Sequence, residues 1–97
     1  MISIVVPTYR EAENVPKLVA AVDLVMEGEQ LEYEMLIVDD NSPDDIVELV
    51  QGLVDRYPIR LIQPTGRERD LSLAVIDGVM DARFDTIVVM DADLSHP

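Results

Sequence analysis

The chain has 97 residues, with 20 acidic side chains against seven basic ones, a formal net charge of −13, 48% hydrophobic residues and no cysteine. That length fits one small domain with a real core. The charge excludes a nucleic-acid partner, which needs a basic footprint, and the missing thiols exclude disulfides and thiolate metal sites.

Four short apolar runs mark strands: ISIVV (2–6), MLIVD (35–39), IRLIQ (59–63) and DTIVVM (85–90). The first, second and fourth are nearly continuous and rich in Val and Ile, as strands covered on both faces of a parallel sheet are. The first begins at the N-terminus with no basic segment ahead of it, so no signal peptide is read there. No run approaches the roughly 20 apolar residues that span a bilayer.

Helical patterns fill the gaps. Val15, Leu18, Val19, Val22 and Met26 share one helix face, with Asn14 as cap and Pro16 in the first turn. Residues 27–34, EGEQLEYE, read as an acidic surface loop. The second helix is expected to open at SPDD, with Ser42 as N-cap, Pro43 first and Asp45 in capping-box register. Ile46, Leu49, Val50 and Leu53 are its buried stripe. In the third, Leu71, Ala74 or Val75, and Gly78 form a face, and Gly78 in mid-pattern predicts close helix–sheet packing. The order β-α-β-α-β-α-β predicts an α/β fold, a Rossmann-like parallel sheet.

Ligands of such sheets bind beyond the carboxyl ends of the strands. There the sequence places PTYREAEN after the first strand, DDNSPDD after the second, PTGRERD after the third, and Asp91 and Asp93 after the fourth. Two acids spaced by two at a strand end point the same way, and a divalent cation relieves their repulsion. All-oxygen ligands suit Mg2+ or Mn2+. DDNSPDD lacks the glycine and closing Glu of a calcium loop. Asp44 and Asp45 read as helix-start residues. Arg67 and Arg69 could neutralise a phosphate, or simply balance Glu68 and Asp70. The single histidine, His96, allows no Ser-His-Asp triad, and no glycine-rich phosphate loop occurs.

SIVVPTYREAENV, LIVDDNSPDD and VVMDADLSHP together resemble the family-2 glycosyltransferases, most of all the dolichyl-phosphate mannose synthases and related polyprenyl-phosphate sugar transferases. The resemblance runs the length of the chain and implies the nucleotide-binding half of a GT-A fold. It implies that Pro7, Tyr9 and Glu11 hold base and ribose, that Val38, Asp39, Asp40 and Arg69 line the nucleotide-sugar pocket, and that Asp91 and Asp93, with Ser95, hold the metal and donor diphosphate. Asp70 stands where the family usually has a glycine, which questions that loop's conformation. By the same resemblance the parent enzyme is an inverting transferase. It moves a hexose from GDP-mannose, or alternatively UDP-glucose, to a polyprenyl phosphate at the cytoplasmic face of a membrane. Residues 1–97 are then a single nucleotide-sugar-binding domain, truncated after the Asp91-Ala92-Asp93 motif and inactive alone.

Three other readings fit less well. A receiver-type signalling domain places its acids after the first strand, and a phosphatase of the D-x-D class carries them on the first strand. A non-catalytic nucleotide-binding module remains open for the isolated chain. Two further expectations follow from composition and order. Six Arg to the single Lys17, on so acidic a chain, suggest adaptation to high salt. Strand order 3-2-1-4 would leave the fourth strand as an open edge, predicting homo-oligomers through residues 85–90.

Overall fold

A computed structural model of the protein describes residues 1–65, 68 and 70–92. Seven elements alternate: β1 (Ile2–Thr8), α1 (Val15–Gly28), β2 (Tyr33–Asp39), α2 (Ile46–Gln51), β3 (Ile59–Ile62), α3 (Leu71–Asp81) and β4 (Thr86–Val89). The strands form one parallel sheet in the expected order, β3-β2-β1-β4.

Strand side chains alternate between faces, and the two faces meet different helices. Ile4 and Val6 of β1 and Met35 and Ile37 of β2 join Val15, Leu18, Val19 and Val22 of α1 and Ile46 and Val50 of α2 in the larger core. Val5, Leu36 and Val38 face the other way, onto Ala74 of α3. The central strands are therefore covered on both sides, which is why they read as continuous apolar runs. β4 is different: among the described residues it pairs only with β1, and Val88 and Val89 are exposed. On α3, Leu71, Leu73, Ile76 and Met80 are exposed too, so Leu71 is not part of the buried face predicted for that helix.

Gly78 explains how α3 lies so close to the sheet. A Cβ there would sit 2.4 Å from Val5 Cγ1 and 3.0 Å from Val38 Cγ2. The helix rests on the junction of β1 and β2, and any side chain at 78 would lift it.

Two local expectations need correction. Helix α2 begins at Ile46, not at Pro43, and its cap position is Asp45, which makes no side-chain cap bond. Ser42 is drawn instead to Asp39, which accepts from both its N–H and its hydroxyl. Nor is 27–34 all surface: β2 begins at Tyr33, and Tyr33 and Glu34 are buried. The Tyr33 hydroxyl donates to Asp23 Oδ1 at 2.8 Å. Glu34 lies at the amino end of the sheet. It accepts from Ser3 Oγ at 2.7 Å, Arg83 N–H at 2.7 Å and Arg60 Nη2 at 3.2 Å. Ser3 Oγ accepts in turn from the Phe84 N–H. One buried carboxylate thus ties β1, β2 and β3 to the turn that leads into β4.

Burial by itself would raise the Glu34 pKa. The Arg83 N–H, the Ser3 hydroxyl and the Arg60 guanidinium outweigh it and hold the carboxyl below its ordinary 4.5. A group whose folded value is depressed stabilises the fold above its unfolded value, and that contribution disappears as pH falls through the folded value. Urea melts of Glu34→Gln will therefore show a stability deficit near pH 7 that narrows as the pH falls below the ordinary value of 4.5. A second expectation concerns Gly78→Ala. Helix propensity favours Ala by about 1 kcal/mol, but overpacking costs about 1–3 kcal/mol. With two branched side chains in the way, the clash wins, and thermal melts will show a lower Tm.

Candidate functional site

The sheet's chain order reverses at β1: the path steps outward through β2 and β3, then returns to the far side of β1 as β4. Such switch points open a crevice at the carboxyl ends, and here Pro7 helps to open it. The Met90 N–H donates to Val5 C=O, while Asp40 N–H donates to Thr8 C=O. Odd residues of β1 thus face β4 and even ones face β2. Pro7 turns its missing donor toward β4. The β1–β2 ladder runs on to Thr8 opposite Asp39, whereas the β1–β4 ladder ends at Val5 opposite Val89. Beyond that point β4 delivers Asp91, which is exposed, beside the end of β1.

Asp39 and Asp40 are neighbours on opposite faces of the sheet. Asp39 is fully buried on the α1/α2 side. Its Oδ1 accepts from Thr8 Oγ1 at 2.8 Å and Ser42 Oγ at 2.6 Å, and its Oδ2 accepts from Ser42 N–H at 2.7 Å and Gln63 Nε2 at 3.3 Å. Asp40, 7% exposed, accepts the Asp70 N–H on Oδ2 at 2.6 Å on the α3 side. Asp70 caps α3, its side chain accepting the Leu73 N–H at 3.0 Å. Its φ of −154° is extended, so the position asks for no glycine. An N-cap acid is what this helix start uses.

The β1–α1 and β2–α2 loops are stitched together. Arg10 N–H donates to Ser42 Oγ at 2.8 Å, and Ala12 N–H donates to Asp44 Oδ2 at 3.2 Å. Both loops turn through left-handed backbone, at Arg10 (φ 56°) and Asn41 (φ 62°). Asn accepts that conformation readily and Arg does not, so the Arg10 turn needs the contact to Ser42 that holds it. The Arg10 guanidinium lies 5.4 Å from the centroid of the Tyr9 ring. Glu11 is half-buried and accepts from Asn14 Nδ2 at 2.8 Å. A cleft of about 380 Å³ lies along the two loops, lined by Arg10, Ala12, Glu13, Pro43, Asp44 and Asp45.

Of the residues singled out in the sequence, Tyr9, Glu11, Asp39, Asp40 and Asp91 come to one end of the sheet. Pro7 and Val38 are buried opposite each other. The Val38 side chain packs under α3, so only its backbone can face a ligand. Arg69, Asp93 and Ser95 lie outside the described residues. Among the described residues no three His, Cys, Asp or Glu side chains are placed to hold a metal ion, and Asp91 alone represents the predicted pair. Its oxygen chemistry suits Mg2+ or Mn2+. Thr8, Ser42 and Gln63 were not read from the sequence as parts of the site. Only the DNS turn carried a signal for any of them, since Asn and Ser favour such turns.

The chain matches the family model for glycosyl transferase family 2 over residues 3–97. It is 46% identical over 96 residues to the dolichol-phosphate mannosyltransferase of Pyrococcus furiosus, an alignment that takes in 99% of this chain and 26% of that protein. To the Saccharomyces cerevisiae dolichol-phosphate mannosyltransferase it is 41% identical over 97 residues, 98% of this chain and 36% of that one. The chain thus spans about a quarter to a third of these relatives. Its structure is similar to a mannosyltransferase from Pyrobaculum calidifontis in complex with GDP-Man and Mn2+. The TM-score is 0.77 and the identity 26%, over 95% of this chain and 27% of that one. It also shares its fold with S. aureus TarS 1–349, at TM-score 0.79 and 20% identity, over 95% of this chain and 27% of that one.

Proposed function

The chain belongs to glycosyl transferase family 2 and has the parallel sheet of the GT-A glycosyltransferases, and we propose that it is the donor-binding part of an inverting transferase that moves mannose from GDP-mannose to a polyprenyl phosphate. The observation that carries this reading is the gathering of Tyr9 and Glu11, Asp40, and Asp91 at three strand ends around the switch point. Tyr9 and Glu11 would meet base and ribose, with Asp40 beside them. Asp91 and Asp93, with Ser95, would hold a divalent ion against the donor diphosphate, and Arg69 would line the nucleotide-sugar pocket. Such an ion supplies charge neutralisation for the departing nucleoside diphosphate. The GDP-Man complex of the Pyrobaculum neighbour supports GDP-mannose over UDP-glucose.

A phosphate acceptor has a second pKa of about 6, so its attacking oxygen is already anionic near neutral pH. No residue is needed as a strong base. The 97-residue chain spans only part of its relatives, which favours nucleotide binding without turnover when it acts alone. Among the described residues no helix is long and apolar enough to cross a membrane. Work at the cytoplasmic face of a membrane is proposed for the whole enzyme.

Calorimetric titration of GDP into the chain, with Mn2+ and molar KCl, tests the reading. GDP binding is expected to require the metal, to exceed UDP binding, and to fall at least tenfold in Asp91→Asn. A UDP preference would move the donor to UDP-glucose, and a folded chain that binds neither would overturn the assignment. Among the described residues the outer edge of β4 is unpaired, with Val88 and Val89 exposed, which supports self-association through that strand. Light scattering in molar KCl is expected to give a dimer and, for Val88→Lys, a monomer. A monomeric native chain would reject the edge contact.

A further inference from the structure

We infer that Asp39 is a positioning residue: its buried carboxylate does not meet the nucleotide but sets the two loops that do. The inference rests on the reading that a nucleotide binds at these loops, and goes beyond it by giving the two adjacent acids different roles.

A carboxylate offers about four lone-pair positions. In Asp39 all four are taken, by Thr8 Oγ1, Ser42 Oγ, Ser42 N–H and Gln63 Nε2. The side chain is 0% exposed, so a ligand could reach it only by displacing one of these donors into a buried place. The donors come from the end of β1, the β2–α2 loop and the residue after β3. Asp39 therefore gathers three segments.

The arrangement continues outward. Ser42 uses its hydroxyl proton on Asp39 and a lone pair on the Arg10 N–H. Arg10 lies between Tyr9 and Glu11, in a left-handed conformation that needs a specific partner. The path Asp39–Ser42–Arg10 thus fixes the turn carrying both nucleoside-facing side chains. Asp40 points to the opposite face, and its carboxylate is not used in this path.

Three variants and two readouts test this. Ser42→Ala removes only the hydroxyl link and leaves Asp39 in place. The net value of one such hydrogen bond is about 0.5–1.5 kcal/mol, so metal-dependent GDP binding by calorimetry is expected to weaken up to about tenfold. Ser42→Thr, which keeps the hydroxyl, restores it. Asp39→Asn weakens binding at least as much as Ser42→Ala. Amide hydrogen exchange is expected to show the Arg10 N–H losing protection in Ser42→Ala and Asp39→Asn, while the β1–β2 amides keep theirs. Unchanged GDP affinity in Ser42→Ala, with a loss in Asp39→Asn, would make Asp39 a direct ligand and overturn the inference. So would an Asp39→Asn chain that melts earlier yet binds GDP as before. Should the native chain bind no GDP, the functional reading fails on its own. The exchange data then still decide whether Asp39 sets the loops, and an Arg10 amide protected as before in Asp39→Asn would refute it.

Discussion

A carboxylate removed from water must find partners for its charge, and that requirement at Asp39 shapes the carboxyl end of the sheet. An unpaired buried charge costs several kcal/mol. Four donors from three segments meet the need here. Their convergence decides where β1 stops, how the β2–α2 loop turns, and where the chain passes after β3. The start of α2 is a consequence. Ser42 has an alternative use as a helix cap, but its hydroxyl is held by Asp39 and its oxygen accepts the Arg10 N–H instead of a helix N–H. The helix is left to begin four residues later, at Ile46.

Because neighbouring strand residues point to opposite faces, the pair Asp39–Asp40 divides its work. One acid organises the loops above α1 and α2. The other holds the N–H of Asp70, whose side chain caps α3. At the far end of the sheet Glu34 has a similar part, binding Arg60, Ser3 and the backbone before β4. Helix α3 is thus anchored near both ends by two buried acids, one near the start of β2 and one just past its end. Asp40 receives its first turn, and Arg60, held by Glu34, bonds Asp81 at its last residue. Between these anchors Gly78 lets the helix down onto Val5 and Val38.

Much of this was legible because it depends on local pattern. Continuous Val/Ile runs gave the covered strands, the period of apolar residues gave α1, though Asn14 at its start makes no side-chain cap bond, and Gly78 announced the close packing that α3 shows. The position of Tyr9, Glu11, Asp40 and Asp91 at one end of the sheet followed from strand ends alone. Long-range partners were not legible. Glu34 looked like one acid in an acidic loop, because the donors that bury it stand 26, 31 and 49 residues away. Gln63 and Thr8 carry no mark of their service to Asp39, 24 and 31 residues distant. Asp70 looked like an obstacle where glycine is usual. It proved compatible because the backbone there is extended.

The short β1–β4 ladder gives the site a mechanical character. Four paired residues cut off at Pro7 make β4 as short a ladder as β3 at the other edge, and its side chains are the least buried of the four strands. Segments with few buried contacts open at free energies well below that of global unfolding. The acid proposed to hold the metal and donor diphosphate follows this segment, while the loops proposed to meet the nucleoside are tied to the core through Asp39. Affinity for the two halves of a nucleotide-sugar would then have different origins: one half meets a surface already in place, and the other must bear the entropy of ordering its own strand.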